Sequence, residues 1–487
     1  VDQIVGRSEH ASDIVRSLLE GRIGRREFMR RAALAGMSAA AISSVLAQGA
    51  RAGGARTAQA EAFDPMKYAG STVRVILVDG ERDDFGLKDK IPEIKESMGI
   101  DVQVTTLGLG DLIASNNQNL TASESAFDIM HVLGFTVAAT VGADHFTEIT
   151  SWVADPARTP ADYDFADFPA GQLDYCGYFD IATGEFGGNK LYLIPGIHSG
   201  SAIMFYRKDL LDAANVAVPR TWEEYLAAAE ALNSADVAGN SLIGSGGDVS
   251  LFLVDWYTRF ITMGGQFTSG NKNAKSLTTN LTSPEAVRAL QHMIDCVKFA
   301  PEAVTGYTMT NTVDQFQTGK VAMMVMWSTI AGAVYGPDSP VKDSVAVAPV
   351  PADAGQTPRS IRGGWGLGIP KNLPDANKDA AYHLLTYMTS QEFEKYQVGT
   401  YQTDPNRKST GSDPDLVAQL PYLPEAVAAI ETAQILEIAN IPETFEIVGA
   451  IAAEFNLALT GTEDAATACQ KAQDASVAIL RRGGHLA

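Results

Sequence analysis

The stretch from residue 73 to residue 132 constrains the fold more than any other. Val73-Arg74-Val75-Ile76-Leu77-Val78 is a nearly unbroken apolar run closed by Asp79-Gly80, the pattern of a strand buried on both faces. Residues 89–98 read as a helix, and Gly99 suits its end. Asp101-Val102-Gln103-Val104-Thr105 predicts a second strand, residues 112–120 a second helix, and Asp128-Ile129-Met130-His131-Val132 a third strand. Parallel neighbours need a crossover connection, usually a helix. A β-α-β-α-β order therefore predicts an α/β domain with a largely parallel sheet.

The pattern returns further on. Residues 152–188 are rich in Asp, Pro, Gly and aromatics and predict irregular surface structure with short helices. Residues 191–195 and 202–206 are strand-like. Thr221 opens a helix with Glu224 at capping-box spacing, and Trp222, Tyr225, Leu226 and Ala229 make its apolar face. Residues 251–263 predict an apolar helix, and Ser283-Pro284-Glu285 starts another that runs to about Phe299. Residues 314–318 read as a helical turn before Gly319, and 321–326 and 345–348 as strands. Residues 375–389 predict a helix with Asn377, Lys378 and Asp379 exposed. Beyond Asn406 the chain is nearly all helical to Arg482. The order is α/β, α/β again, then a helical tail.

Composition limits what such a chain can do. At ~100–200 residues per domain, 487 residues make two to four domains. A formal charge of -21 gives no basic surface for nucleic acid. The cysteines Cys176, Cys296 and Cys469 lie far apart, so a structural zinc site is not expected. They read as buried free thiols, or as one disulfide with a thiol left over. There is no G-x-S-x-G, H-E-x-x-H or P-loop, and Gly108-Leu109-Gly110 lacks the third glycine of a dinucleotide fingerprint. His131 and His145 read as packing or surface residues. No metal and no cofactor are expected, and an enzyme is the weaker reading.

Residues 1–60 differ from the rest, with nine Arg, no Lys and five acids. Gly24-Arg25-Arg26-Glu27-Phe28-Met29-Arg30 precedes an uncharged Ala/Ser/Gly-rich stretch over 32–50, and Ala50-Arg51-Ala52 and Ala58-Gln59-Ala60 offer small-residue cleavage sites. That order is a secretory signal, and the paired arginines resemble a twin-arginine signal. An Ala-rich helix of the fold is the alternative. Removing residues 1–60 would leave a charge of -25. Such a charge favours a soluble monomer, here expected in the periplasm.

Several later segments, in order, resemble family 1 extracellular solute-binding proteins, the ligand receptors of ABC importers. Gly188-Asn189-Lys190-Leu191-Tyr192-Leu193-Ile194-Pro195 is similar to the family's G-x-x-Y-G-I-P strand. Phe205-Tyr206-Arg207-Lys208-Asp209-Leu210-Leu211 resembles Y-Y-N-K-D-L-F. Pro219-Arg220-Thr221-Trp222-Glu223-Glu224 resembles P-x-T-W-D-E, and Phe316-Gln317-Thr318-Gly319-Lys320-Val321-Ala322-Met323 resembles F-x-x-G-K-A-A-M. Gly363-Gly364-Trp365-Gly366-Leu367-Gly368-Ile369-Pro370-Lys371 resembles G-G-x-x-x-x-I-P-K, and Thr403-Asp404-Pro405-Asn406-Arg407 a segment that often reads P-x-R. Each motif is weak alone; their shared order over roughly residues 70–480 is specific. The resemblance implies a two-lobed periplasmic-binding-protein fold with crossing hinge strands and a helical C-terminal tail. The implied limits are 61–200 for the first part of lobe one, 201–363 for lobe two, 364–406 for the return to lobe one, and 407–487 for a tail mainly on lobe two.

Ligand would sit between the lobes, beyond the carboxyl ends of the strands. A sugar offers an apolar C–H face for aromatics and a rim of hydroxyls for planar polar groups. Trp327 follows an apolar strand, and Trp365 follows Gly364, where a small residue would let backbone approach a ligand. Asp255 and Trp256 are candidates on one helix, Phe135 follows the third strand, and Glu81 follows the first. His198 lies at the first lobe crossing and can both donate and accept. Arg407 could hold ligand hydroxyls or a carboxylate, or make a hinge salt bridge. Core packing or a solvated surface is the competing role for each. The expected function is ligand capture for an ABC permease, with a carbohydrate or polyol as ligand. A cationic amine or osmolyte in an aromatic, anionic cage is the second expectation, and a secreted enzyme the third.

Overall fold

The computed structural model describes residues 62–79, 83–245 and 249–487. The leader expected over residues 1–60 lies outside these. The chain begins with β1 (Thr72–Val78), α1 (Asp83–Met98), β2 (Asp101–Leu107), α2 (Leu109–Thr121) and β3 (Ile129–Leu133). β1 pairs in parallel with β2, from Thr72↔Asp101 to Val78↔Leu107, and with β3 on its other side. The alternation of the sequence is thus the parallel unit it predicts. α1 starts at Asp83 rather than residue 89 and carries Pro92 inside. Leu87, Ile94 and Met98 are buried in the core beneath it, and that burial outweighs the donor the proline lacks.

Then come α3 (Ala170–Cys176) and a hairpin of β4 (Tyr178–Asp180) and β5 (Glu185–Leu191). The hairpin corrects the irregular stretch expected over 152–188. Gly184, Gly187 and Gly188 have φ of +68°, +82° and +94°, conformations that glycine enters freely, and their lack of side chains hides the strand pattern. β6 (Leu193–Gly200) is separated from β7 (Ala202–Arg207) by Ser201 alone. Next are α4 (Trp222–Leu232), α5 (Val249–Thr262), the small hairpin β8 (Thr268–Ser269) and β9 (Thr278–Thr279), α6 (Pro284–Val297) and α7 (Met309–Gln317). The strands β10 (Met323–Trp327), β11 (Val345–Ala348) and β12 (Gly363–Gly368) lead to α8 (Asp375–Met388) and α9 (Gln391–Tyr401). The tail holds two short helices and α10 (Leu423–Thr432), α11 (Thr444–Leu459) and α12 (Ala465–Arg482).

The first large sheet has the order β2-β1-β3-β12-β6, and the second β10-β7-β11. β12 enters the first sheet antiparallel to both neighbours. The chain therefore passes from sheet to sheet at Ser201 and again between β11 and β12. A core lies on each face of the first sheet, and a third core joins the second sheet to the tail. Phe455 of α11 packs edge-on against Trp256 of α5 at 5.0 Å, and Asn456 Nδ2 donates to the Thr305 carbonyl at 3.1 Å.

Local chemistry explains the element ends. Thr221 Oγ1 accepts from the Glu224 amide at 3.2 Å, and the Glu224 carboxylate accepts from the Thr221 amide at 3.3 Å, so both halves of the capping box form. Thr308 and Asn311 make a second box, which starts α7 at Met309 instead of residue 314. Residues 377–379 are half-buried rather than exposed. Asn377 Nδ2 donates to Asp128 at 3.2 Å, and Arg158 pairs with Asp379 at 2.5 Å. All three cysteines are buried and free, and burial pushes the Cys296 and Cys469 thiols up to about 12. Among the described residues, no helix is long and apolar enough to cross a membrane.

Candidate ligand-binding groove

β1, β3 and β6 run parallel, so their carboxyl ends lie along one edge of the first sheet. The antiparallel β12 brings its amino end, Gly363-Gly364, to that edge. In the second sheet Trp327 pairs with Ala202, which sets the end of β10 beside the start of β7. Both sheets therefore present their ends at residues 199–202, 327–328 and 363–364. Hydrogen bonds tie the passages together here. Ser199 Oγ donates to the Pro405 carbonyl at 2.7 Å, Ser201 Oγ to the Ile361 carbonyl at 3.3 Å, and Ser328 Oγ to the Ser201 carbonyl at 3.0 Å and to Asp404.

Trp327 lies half-buried on this junction. A Cβ on Gly363 would come within 2.7 Å of its ring, and one on Gly200 within 3.5 Å. The bare backbone of two crossing strands is thus the seat of the indole. Beyond it, a groove of about 530 Å³ runs between α7, the turns after β10, and the end of α9. Its walls include Thr310, Asp314, Thr329, Ala333, Ser339 and Gln402. Gly332, Ala333 and Gly336 keep the floor open, and Thr400 and Gln402 close it from the α9 side. Gln402 has φ +58° at the end of α9. Its Oε1 and the Ser339 Oγ are buried without a hydrogen-bond partner. Such groups cost free energy until something bonds to them. The volume is within the usual range of small-molecule sites, and the unpaired atoms suit hydroxyl groups.

The remaining candidates are dispersed, and four of them require correction. Trp256 is fully buried in the core, stacked on Phe260 at 4.8 Å with Nε1 donating to the Ala286 carbonyl at 3.3 Å. Asp255 is buried beside it, paired with Arg259 and accepting from the Ile243 amide at 3.2 Å. Neither reaches the groove, because α5 is wrapped by core on most of its faces. Arg407 is 1% exposed. Its Nε and Nη2 donate to the Thr389 carbonyl at 2.9 and 2.7 Å, Nη1 reaches Asp167 at 3.5 Å, and its guanidinium covers the Phe168 ring at 4.1 Å. It braces the chain just after α9, next to the Pro405 carbonyl that Ser199 bonds. Gly364 has φ +132°, and a Cβ there would lie 2.2 Å from Gln172 Nε2, so the space is filled by this chain's own amide.

Trp365 is 3% exposed and stacks on His131 at 4.2 Å within the first sheet's core. Phe135 is buried edge-on between Tyr175 and Phe445, at 6.4 and 6.3 Å. Glu81 lies outside the described residues. His198 contributes backbone to β6, and its side chain lies outside what is described. Thr329, Ala333, Ser339 and Gln402 were not singled out by sequence. The available signal was the small-residue run Ala331-Gly332-Ala333 just after an apolar strand.

An unusual acid of α9 sits beside Arg407. Glu394 of α9 is buried and accepts from the Arg407 amide at 2.9 Å. Burial raises its carboxyl to about 7, against the hydrogen bonds and the nearby Arg407 charge that oppose this. Asp167 behaves oppositely. Burial would raise it, but hydrogen bonds from Ser409 and Gln391 and the charge of Arg407 hold it below its ordinary value.

Comparison with known proteins places these features in a family. The model of the bacterial extracellular solute-binding protein family matches residues 86–395. A curated relative, named "Probable ABC transporter-binding protein" and from Deinococcus radiodurans, is 26% identical over 241 residues. That match covers 48% of this chain and 56% of the relative, so the chain spans about half the length of the protein it matches. An ABC transporter solute-binding protein of Agrobacterium radiobacter K84, solved with ribitol, superposes with a TM-score of 0.74 at 24% identity, over 84% of this chain and 98% of that one. Maltose-bound MalE3 of T. maritima gives 0.72 at 22% identity, over 83% and 98%. These likenesses show the two-lobed fold. With more than half of its length matched by the family model, the chain belongs to the bacterial extracellular solute-binding proteins.

Proposed function

We propose that the protein is the substrate-binding component of an ABC importer, and that it captures a carbohydrate or polyol in the groove beside Trp327 and delivers it to the membrane permease. The observation that carries this is the groove itself: hydroxyl and amide groups, two of them buried and unpaired, in a solute-binding fold, with Thr329 of its wall 3.3 Å from where a Cβ on Gly200 would lie at the sheet junction. Capture is a hinge motion about the passages between the sheets, driven by tighter binding to the closed form. The ligands of the two solved relatives, ribitol and maltose, support the class. Of the residues nominated by sequence, Trp327 stays at the centre, and Glu81 and His198 stay candidates on sequence grounds alone; Thr329, Ser339 and Gln402 join them. The lobe limits are those stated above, and the strand order supports them. Residues 1–60 act as a twin-arginine-type leader, which puts a monomer in the periplasm. Asp314 and Asp338 on the groove wall, without a lysine or arginine, favour a cationic amine or osmolyte as second ligand class.

A thermal-shift panel of sugars, polyols, amino acids and polyamines tests the reading. A ligand at 100 times its Kd adds ~2.7 kcal/mol to the folded state. The expected result is a shift with a neutral sugar or polyol that Trp327→Ala abolishes. A shift with amines alone would overturn the ligand class, and turnover of a bound compound would overturn the binding role.

A further inference from the structure

We infer that Glu185, Lys272 and Asn440 form a polar clasp, made wholly of the chain's own groups, that holds the two sheet-bearing sides of the molecule together before any ligand binds. The β4–β5 hairpin belongs to the first sheet's side, because Leu191 and Phe179 are buried in the cores on its two faces. Lys272 lies in the turn between β8 and β9, whose flanking Phe267 and Leu277 are buried in the core of the second sheet and the tail. The tail fixes that turn. Thr279 Oγ1 donates to Gln473 Oε1 of α12 at 3.1 Å, and the Ala487 amide donates to the Lys275 carbonyl at 2.9 Å. Asn440 stands in the tail between the buried Ala439 and Ile441. The chain crosses between the sheets at Ser201 and between β11 and β12, and none of the three residues lies on either passage.

An ammonium carries three donors, and three oxygens surround this one. Lys272 Nζ donates to the Gly184 carbonyl, donates to the Asn440 carbonyl at 3.0 Å, and pairs with Glu185 Oε1 at 3.3 Å. Glu185 Oε2 accepts from Asn440 Nδ2 at 2.6 Å, so each carboxylate oxygen holds one of the other two residues. A single exposed ion pair contributes little. Here the Lys272 side chain is 9% exposed, and bonds from a charged donor strengthen as water is excluded. Gly184 admits the lysine: its φ is +68°, and a Cβ there would lie 3.1 Å from Nζ. A cavity of about 250 Å³ adjoins the clasp, walled by Ala138, Phe179 and Thr183 from one side and by Asn273, Pro442 and His485 from the other. The sides therefore meet here at discrete polar contacts beside open space, a contact that can part and re-form without baring a core. The groove is formed in this same clasped arrangement. A competent form that is already populated binds without the loss of affinity that a rarely populated one imposes.

The test needs no ligand, so its outcome is separate from that of the carbohydrate reading. Spin labels are placed at Asn189→Cys on β5 and Gln470→Cys on α12, both exposed, while the three native cysteines are buried. The protein is dialysed through urea to remove bound solute, refolded, and the distance between labels is read by pulsed electron spin resonance. The otherwise wild-type chain is expected to show mainly the short distance of the clasped arrangement. Lys272→Met and Glu185→Gln, which break the clasp from its two sides, should each populate a second distance longer by more than about 2 Å. Lys275→Met, which removes an exposed lysine from the same turn, should match wild type. Glu185 is on the surface, so Glu185→Gln keeps the test open if Lys272→Met folds poorly. A wild type that mainly shows a longer distance overturns the clasp. So does a short distance that persists in Glu185→Gln and Lys272→Met.

Discussion

Single residues in this protein take their roles from what surrounds them, and Glu394 gives the sharpest case. A carboxyl held near 7 in the fold and near its ordinary value when unfolded favours the protonated folded state. Its contribution is full below about 4.5 and disappears as pH rises through about 7, on the order of 3 kcal/mol in all. His292 slopes the other way. Burial first, then Arg259, lowers it to about 3, so its neutral form stabilises the fold above its unfolded value and that stability is lost as pH falls. The difference between wild type and Glu394→Gln isolates the acid. Urea unfolding at pH 5 and pH 8 should show wild type losing stability relative to Glu394→Gln as pH rises, and a constant difference would contradict the assignment. The sequence gives no hint of this, because burial of an acid depends on partners distant in the chain. Trp256 and Arg407 misled for the same reason. Residues 249–262 are apolar on nearly every face, so periodicity could not tell a core tryptophan from an exposed one.

At the scale of elements, the strands and helices with strong periodicity were legible, and the glycine-rich ones were not. β1 to β3 and α4 follow from apolar spacing and capping residues. The β4–β5 hairpin did not, since glycine carries no side-chain pattern. The room that the sequence suggests at Gly364 is taken by Gln172, and the room at its neighbour Gly363 by Trp327. This assignment has a measurable consequence. Gly363→Ala sets a methyl against the Trp327 ring and should cost about 1–3 kcal/mol. In a Trp327→Ala background the same change should cost little, because the clash partner is gone. A double-mutant cycle by urea denaturation reads the coupling directly; additive costs would mean that the indole does not rest on β12.

For the whole molecule, the two-lobed architecture was readable from the order of segments, because each sheet carries its own α/β pattern. The groove was not readable. It forms where α7, the turns after β10 and the end of α9 converge, and nothing local marks their meeting. The central claim is that this groove holds the ligand. Ala333 lines the groove, partly buried against the core beneath it, so a larger side chain there takes up groove volume. The most direct measurement is calorimetric titration of wild type and Ala333→Trp with the sugar or polyol that gives the largest thermal shift. The account predicts at least about a tenfold loss of affinity in Ala333→Trp, in an unliganded protein that still unfolds in one cooperative transition. Undiminished affinity in a protein whose groove is filled would contradict it.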